Sequence, residues 1–582
     1  MGRAVSSDSS SPGCVALASK WLHKCLNEHV QCSPTHAAKP LPTRVIDVGD
    51  EKQHPKLFTT DGKGGKYIAL SYCWGGDSEF IFNDGRKQAL ESGIPIDEFP
   101  QTLRDAVLIT RRLGIQYIWI DALCIKQDSA DDWAKEAAKM KEVYTNAVLT
   151  VIASNSPSTR SGIFSPRLAG LKGVLEYRAP NKTSKMYLRS GNELWDHSLQ
   201  SSPLVGRGWT LQEGLLAPRT ISYGSQQMIW ECSQFQTDEG GRTTKSTEDY
   251  RSKGFIQHLV QIGSEDIPKS RLSLFGKLTS RYIKQEEWWR SFSIANPYDK
   301  WYDICEQFMG RSLTKDFDVL PALSGLAGVF QNVLKDTYYA GLWKKDLMCS
   351  LTWSRSPRYP TDGSSRFDLT RKSGYLSPSW SWASIPGKIS SVSTNWITRN
   401  ALQHSSTVTA KIISVNTIPA GPDPFGKVSS GELILRARYR QLEHLPPIYS
   451  AENQWSDEIP EWRNDSAIQR HLYKTMQKVD TIMYERYQQH ESCSTQEYGV
   501  IELIRWEHAP GNNLPGMDLL FVESTGKKDG EFRRIGHTGL TKSPVPVREE
   551  VTDSMYFGII EENAAYDAAI GENWSKRTIT LV

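Results

Sequence analysis

The chain is 582 residues long, and 69 Lys and Arg against 66 Asp and Glu leave a formal charge of +3. That near-balance excludes a strongly basic nucleic-acid binder or a polybasic membrane surface, and the length implies about two to four domains. Nine cysteines, scattered and without a CxxC pair, exclude a disulfide framework and fit reduced thiols in a cytoplasmic protein.

Residues 1 to 13 are Ser-rich and are expected to be disordered. Met1-Gly2 with Ser6 fits the loose pattern for N-myristoylation, and Cys14 could supply a second acyl site, but no apolar signal core is present. No run of about 18 apolar residues is found, so no transmembrane segment is expected. A helix is predicted from Val15 to Val30, with Trp21, Cys25, His29 and Cys32 on one face. Cys25, His29 and Cys32 are zinc-type ligands, but structural zinc takes four, so packing of the thiols against the core is preferred and no metal is assigned.

A Gly-rich turn, Asp61 to Gly65, leads into a buried strand at Tyr67 to Ser71. Thr102 is placed to cap a helix whose stripe is Leu103, Ala106, Val107, Thr110 and Leu113, and Gly114 ends it. The strand Tyr117 to Ile120 follows, then a helix from Asp131 to Tyr144, then a strand from Val148 to Ala153. This alternation predicts a parallel sheet covered by helices. Beyond Pro157 the Gly206 to Leu216 segment reads as helical and Ile221 to Trp230 as a hairpin. Residues 240 to 345 read as mainly helical, and from Leu347 short β-like runs dominate, interrupted by a polar, helix-like insert at about 451–489.

No Walker A, HExxH, GxSxG or Rossmann fingerprint is present. The polar residues gather instead where strands end: Ser71, Tyr72, Trp74 and Asp77 after one strand, Asp121, Cys124, Gln127 and Asp128 after the next, with Glu136 on the following helix. In open α/β sheets that edge collects ligands. A carboxylate closing a buried strand needs a partner, and Arg104, Arg111 and Lys126 are the candidates for Asp121. Cys73 and Cys124 read as buried, inert thiols. Trp380 and Trp382, two apart in a β-rich segment, read as core packing.

Several segments together resemble the fungal heterokaryon incompatibility (HET) domain. They are Tyr67 to Gly76, Leu103-Arg104-Asp105-Ala106, Gln116 to Asp128, Val143-Tyr144-Thr145-Asn146-Ala147, Gly162-Ile163-Phe164, Arg207 to Glu213, Arg219-Thr220-Ile221 and Trp230-Glu231-Cys232. The resemblance implies a TIR-like, flavodoxin-like parallel sheet with flanking helices in a HET domain at 40–235. Before it lie the start and first helix at 1–39. After it come a mainly helical region at 236–345 and a β-rich region at 346–582. Enzymatic TIR relatives cleave NAD with a helix-borne glutamate preceded by a tryptophan. Trp133 and Glu136 match that pair, at a spacing of three where the relatives have four.

The resemblance thus implies Glu136 and Asp121 as catalytic residues, with Ser71, Tyr72, Trp74 and Trp133 around the ligand. No resident cofactor is implied, NAD being a candidate substrate. The implied role is an intracellular effector of vegetative incompatibility that triggers cell death on non-self recognition. An NAD or nucleotide hydrolase and a non-enzymatic self-associating scaffold stand as alternatives. Partners would be allorecognition proteins and further copies of the chain, with no nucleic acid. Arg207 and Glu213 read as a brace, with Trp209 filling the core.

Overall fold

The computed structural model describes residues 5–29, 32, 39–76, 79–165, 167, 171–179, 182–189, 202–245, 253–264, 297–355, 374–385, 387, 389–390, 406–442, 497–506, 515–541 and 574–582. Gly2, Asp77 and the helix-like insert at about 451–489 lie outside the described residues. Two compact units are present. The first takes residues 1–281 and regains 311–314 and 321–334; the second takes the rest.

The first unit is built on a nine-stranded sheet. Its strands are β2 (Arg44–Asp47), β3 (Lys56–Thr59), β5 (Tyr67–Ser71), β6 (Tyr117–Trp119), β7 (Leu149–Ile152), β10 (Arg219–Tyr223), β11 (Met228–Cys232), β12 (Phe235–Asp238) and β13 (Thr243–Lys245). Two-residue β1 (Lys39–Pro40) and β4 (Gly64–Gly65) pair separately, as do β8 (Leu171–Ala179) and β9 (Lys182–Arg189). The sheet order is β13-β12-β11-β10-β7-β5-β6-β2-β3. β6, β5, β7 and β10 run parallel, and antiparallel strands flank them on both sides. In chain order the parallel strands stand 2-1-3-4. The order therefore reverses between β5 and β7, and the crevice beyond their carboxyl ends is the expected ligand site.

Local sequence explains the central elements. Every residue of β5 is buried, as a parallel strand covered on both faces requires, and each large apolar side chain there contributes about 1.5–3 kcal/mol. Helix α3 (Gln101–Arg112) buries Leu103, Ala106 and Val107, as its apolar stripe predicts. Pro100, not Thr102, is its N-cap. Thr102 is the second residue of the helix, where its hydroxyl meets Ser156 Oγ and Ser158 O, both at 2.8 Å, and ties the helix to the loop after β7.

The helix expected over 131–144 is two, α5 (Ala130–Ala137) and α6 (Met140–Asn146), broken at Ala138 and Lys139. The break lets α6 turn onto the sheet, where Tyr144 Oη donates to Leu70 O at 3.3 Å. α1 (Pro12–Glu28), capped by Ser11, α2 (Asp84–Ser92), α4 (Asp121–Cys124), α7 (Trp209–Leu216) and α8 (Lys253–Ser264) are the other α-helices among the described residues up to 264. Gln212 Oε1 accepts from Gly325 N and Leu326 N at 2.8 and 3.3 Å, which docks the distant helix Pro321–Leu334 on α7.

The second unit is dominated by a seven-stranded, mainly antiparallel sheet. Trp380 and Trp382 are fully buried. Trp382 Nε1 donates to Gly341 O at 3.1 Å and Trp353 Nε1 to Trp380 O at 3.0 Å, so the tandem tryptophans are core, as their spacing suggested. Gly341 has φ +97°, and a Cβ there would stand 2.7 Å from the Trp382 ring. Only glycine fits that approach. Among the described residues one stretch, Asp316–Leu334, is long and apolar enough to cross a membrane by length and composition alone. Core helices pass the same test, and 67% of its apolar window is buried.

Candidate functional site

Three parts of the chain converge at the carboxyl edge of the parallel strands. β5 ends in Ser71 and continues through Tyr72, Cys73 and Trp74. Gly75 follows with φ +70°, and a Cβ there would lie 2.2 Å from Ser158 Cβ, so the loop closes onto the segment after β7 only with glycine. β6 leads through Ile120 into α4, whose first residue is Asp121. α7 brings Glu213 in from the side, preceded by Arg207.

Asp121 Oδ2 accepts from Trp74 Nε1 at 2.9 Å and its Oδ1 from Ala122 N at 2.7 Å. Burial pushes its carboxyl up, and Arg207, Trp74, Ala122 and Tyr72 pull it back. Glu213 is buried, and its carboxyl is pushed up to about 7. Loss of water is the main cause; the Asp121 charge adds to it, while Ser71, Arg207 and Tyr144 oppose it. Burial works against the Arg207 charge, yet Glu213 and Asp121 outweigh it and raise the pKa. Arg207 also donates to Tyr72 O.

Ser71 Oγ faces Glu213 and Tyr72 Oη faces Asp121 closely enough to stabilise each carboxylate. Neither buried hydroxyl makes a hydrogen bond of good geometry. The site is therefore a buried acid and two buried, unsatisfied hydroxyls beside a second acid and a guanidinium at the edge, an arrangement that separates the titration of two neighbouring carboxyls. Asp121, Trp74 and Arg207 are only half-buried, so the cluster reaches solvent on that side.

Arg311 joins this group from a hundred residues downstream. Gly208 N donates to Ser312 O at 2.8 Å, and Arg311 Nη1 donates to Thr210 Oγ1 at 3.0 Å and to Arg207 O at 3.3 Å. Burial lowers the Arg311 pKa to about 10, against the pull of Glu213. Nothing in the sequence signals Arg311; only the chain's return to this unit does.

Of the residues singled out in the sequence, the structure brings Ser71, Tyr72, Trp74 and Asp121 together. Glu136 is buried, but its Oε1 accepts from Thr43 Oγ1 at 2.9 Å and Lys139 Nζ at 3.0 Å, which turns it toward β2. Trp133 stands edge-on to Trp209 with ring centroids 6.4 Å apart. Trp209 is half-buried and pairs with another ring instead of filling the core.

The partners proposed for Asp121 are all engaged elsewhere. Arg104 binds Asp97, Arg111 binds Val48 O and Lys126 binds Asp84. Arg207 supplies the charge instead. Gln127 Nε2 closes the α4 turn on Asp121 O and Ile125 O, and Asp128 caps Asp84 N. Burial raises both thiols, Cys124 to about 12, so neither is a nucleophile at neutral pH.

The same strand ends and the same α7 motif define a recognisable unit. Residues 67–213 match the family model of the heterokaryon incompatibility protein (HET). This chain carries a HET domain. The matched span begins at the first residue of β5 and ends on Glu213, so the convergent cluster lies inside it apart from Arg311. No curated protein and no solved structure matches the chain. The match suggests a part in heterokaryon incompatibility, for which the family is named.

Proposed function

We propose that the HET domain is the effector of an incompatibility response, and that its output is hydrolysis of the ribosyl bond of NAD or a related nucleotide. The observation that carries this reading is Glu213, buried beside Asp121 with its carboxyl near 7. A base poised there is matched to neutral pH. The 2-1-3-4 order of the parallel strands supports the TIR-like part of the reading, although fold alone does not give function.

The chemistry needs only these side chains and water. The C1′–N1 bond breaks and its electron pair neutralises the nicotinamide ring, which leaves without needing a proton. Asp121, held by Trp74 and Ala122, faces the positive charge that develops on the ribosyl carbon. Water adds to that carbon, and Glu213 takes its proton. Arg207 keeps the pair from repelling each other and is suited to a phosphate or ribose oxygen.

The full-length protein should release nicotinamide from NAD. Asp121→Asn and Glu213→Gln should each lower the rate by about 100-fold or more while circular dichroism stays unchanged. Glu136→Gln is expected to retain the rate within a few-fold, which separates its bond to Thr43 from a catalytic part. Expression in a fungal host should arrest growth and deplete NAD together, and both effects should vanish in Glu213→Gln. A folded wild-type chain that arrests growth with NAD intact and releases no nicotinamide would favour a scaffold.

A further inference from the structure

The helix α1 and the strand β11 are far apart in sequence but meet in the first unit, where Trp21 packs on Trp230 with ring centroids 6.3 Å apart. At that junction lie Cys25, His29 and Cys32 from the end of α1 and Cys232 from the end of β11, the ligand atoms all within 4.8 Å of one another. We infer that these four residues form a tetrahedral Zn2+ site of the Cys3His type, a clasp that fixes α1 to the sheet.

The geometry meets the metal's demands. Tetrahedral Zn–S and Zn–N bonds put neighbouring ligand atoms about 3.5–3.8 Å apart. His29 Nδ1 lies 3.4 Å from Cys232 Sγ and 3.8 Å from Cys32 Sγ. All three thiols are buried, while His29 is half-buried at the rim. Three sulfurs with one imidazole nitrogen suit zinc; iron–sulfur clusters prefer four thiolates.

The surrounding charge also fits. Three thiolates and a neutral imidazole around Zn2+ leave one negative charge. Arg219, at the start of β10 and fully buried, donates from Nε to Cys25 Sγ at 3.1 Å. Such outer hydrogen bonds orient ligands and stabilise the thiolate form. Metal binding would release the thiol protons to solvent, so affinity rises with pH. The three α1-end ligands alone were too few to assign in sequence; the fourth arrives two hundred residues later.

Full-length protein, purified without a polyhistidine tag, should carry about one zinc per chain by plasma mass spectrometry. Replacement by Co2+ should give the visible bands of a four-coordinate ion and thiolate charge-transfer absorption. Cys232→Ser should lose most of the zinc, whereas Cys305→Ser, a buried thiol elsewhere, should keep it. Should Cys232→Ser fail to fold, the cobalt spectrum of the wild type decides. Folded wild-type protein that holds no zinc, even after incubation with equimolar zinc chloride, overturns the site. So does a six-coordinate cobalt spectrum, or a disulfide joining two of the three thiols in freshly purified chain.

Discussion

Glu213 stands just over one turn into a helix whose sequence reads as packing, and its chemistry comes entirely from where that helix lands. Buried against Ser71, Tyr144 and Asp121, its carboxyl titrates near 7 instead of in the ordinary carboxylate range. The sign of the linkage follows. The folded state holds the proton more tightly than the unfolded chain, so the site is at ease below about pH 4.5, and stability falls as pH rises through about 7. The full swing is on the order of 3 kcal/mol. Glu213→Gln should therefore flatten urea-midpoint stability between pH 5 and 8 and raise it at pH 8, while activity is lost. A variant that is destabilised equally at both pH values would make Glu213 a structural brace. A motif showed Arg207 and Glu213 as a pair in sequence, but burial, which sets the pKa, is invisible there.

At the scale of elements, the first unit is held by polar joints between segments distant in sequence. Arg167 and Glu239 form an ion pair with both side chains almost wholly buried, and Glu239 also accepts from Met228 N at 3.1 Å and Ser6 N at 2.8 Å. Glu239→Ala would strand the guanidinium and should cost about 3–5 kcal/mol, read as a lower denaturant midpoint with an unchanged slope. Gln212 is the joint between α7 and the helix Pro321–Leu334. Gln212→Leu should remove both acceptor bonds and cost about 1–3 kcal/mol, since two backbone N–H groups lose their partner. A thermal midpoint unchanged by Gln212→Leu would show that the two helices dock through apolar contact alone. Such joints were not legible in sequence, because hydrophobic period reports which face of an element is buried but not against what.

For the whole molecule, the boundaries of the first unit are the decisive point. The HET match ends at residue 213, yet the unit includes α1 before it and residues 311–314 and 321–334 after it. A fragment cut at residue 235 should expose the apolar faces that α8 and Pro321–Leu334 cover, and should aggregate or melt well below the full chain. Comparable solubility and melting of that fragment would refute this. Periodicity, turn residues and motif order were enough to define the parallel strands, the helices between them, the HET resemblance and the cluster of Ser71, Tyr72, Trp74 and Asp121, because these depend on neighbours in the chain. The pairing of Asp121 with Arg207 and Glu213, the turn of Glu136 toward Thr43, the arrival of Arg311 and the meeting of Cys232 with α1 depend on contacts between segments up to two hundred residues apart. Sequence spacing carries no information about such contacts, and burial, charge and ligand geometry exist only once they are made.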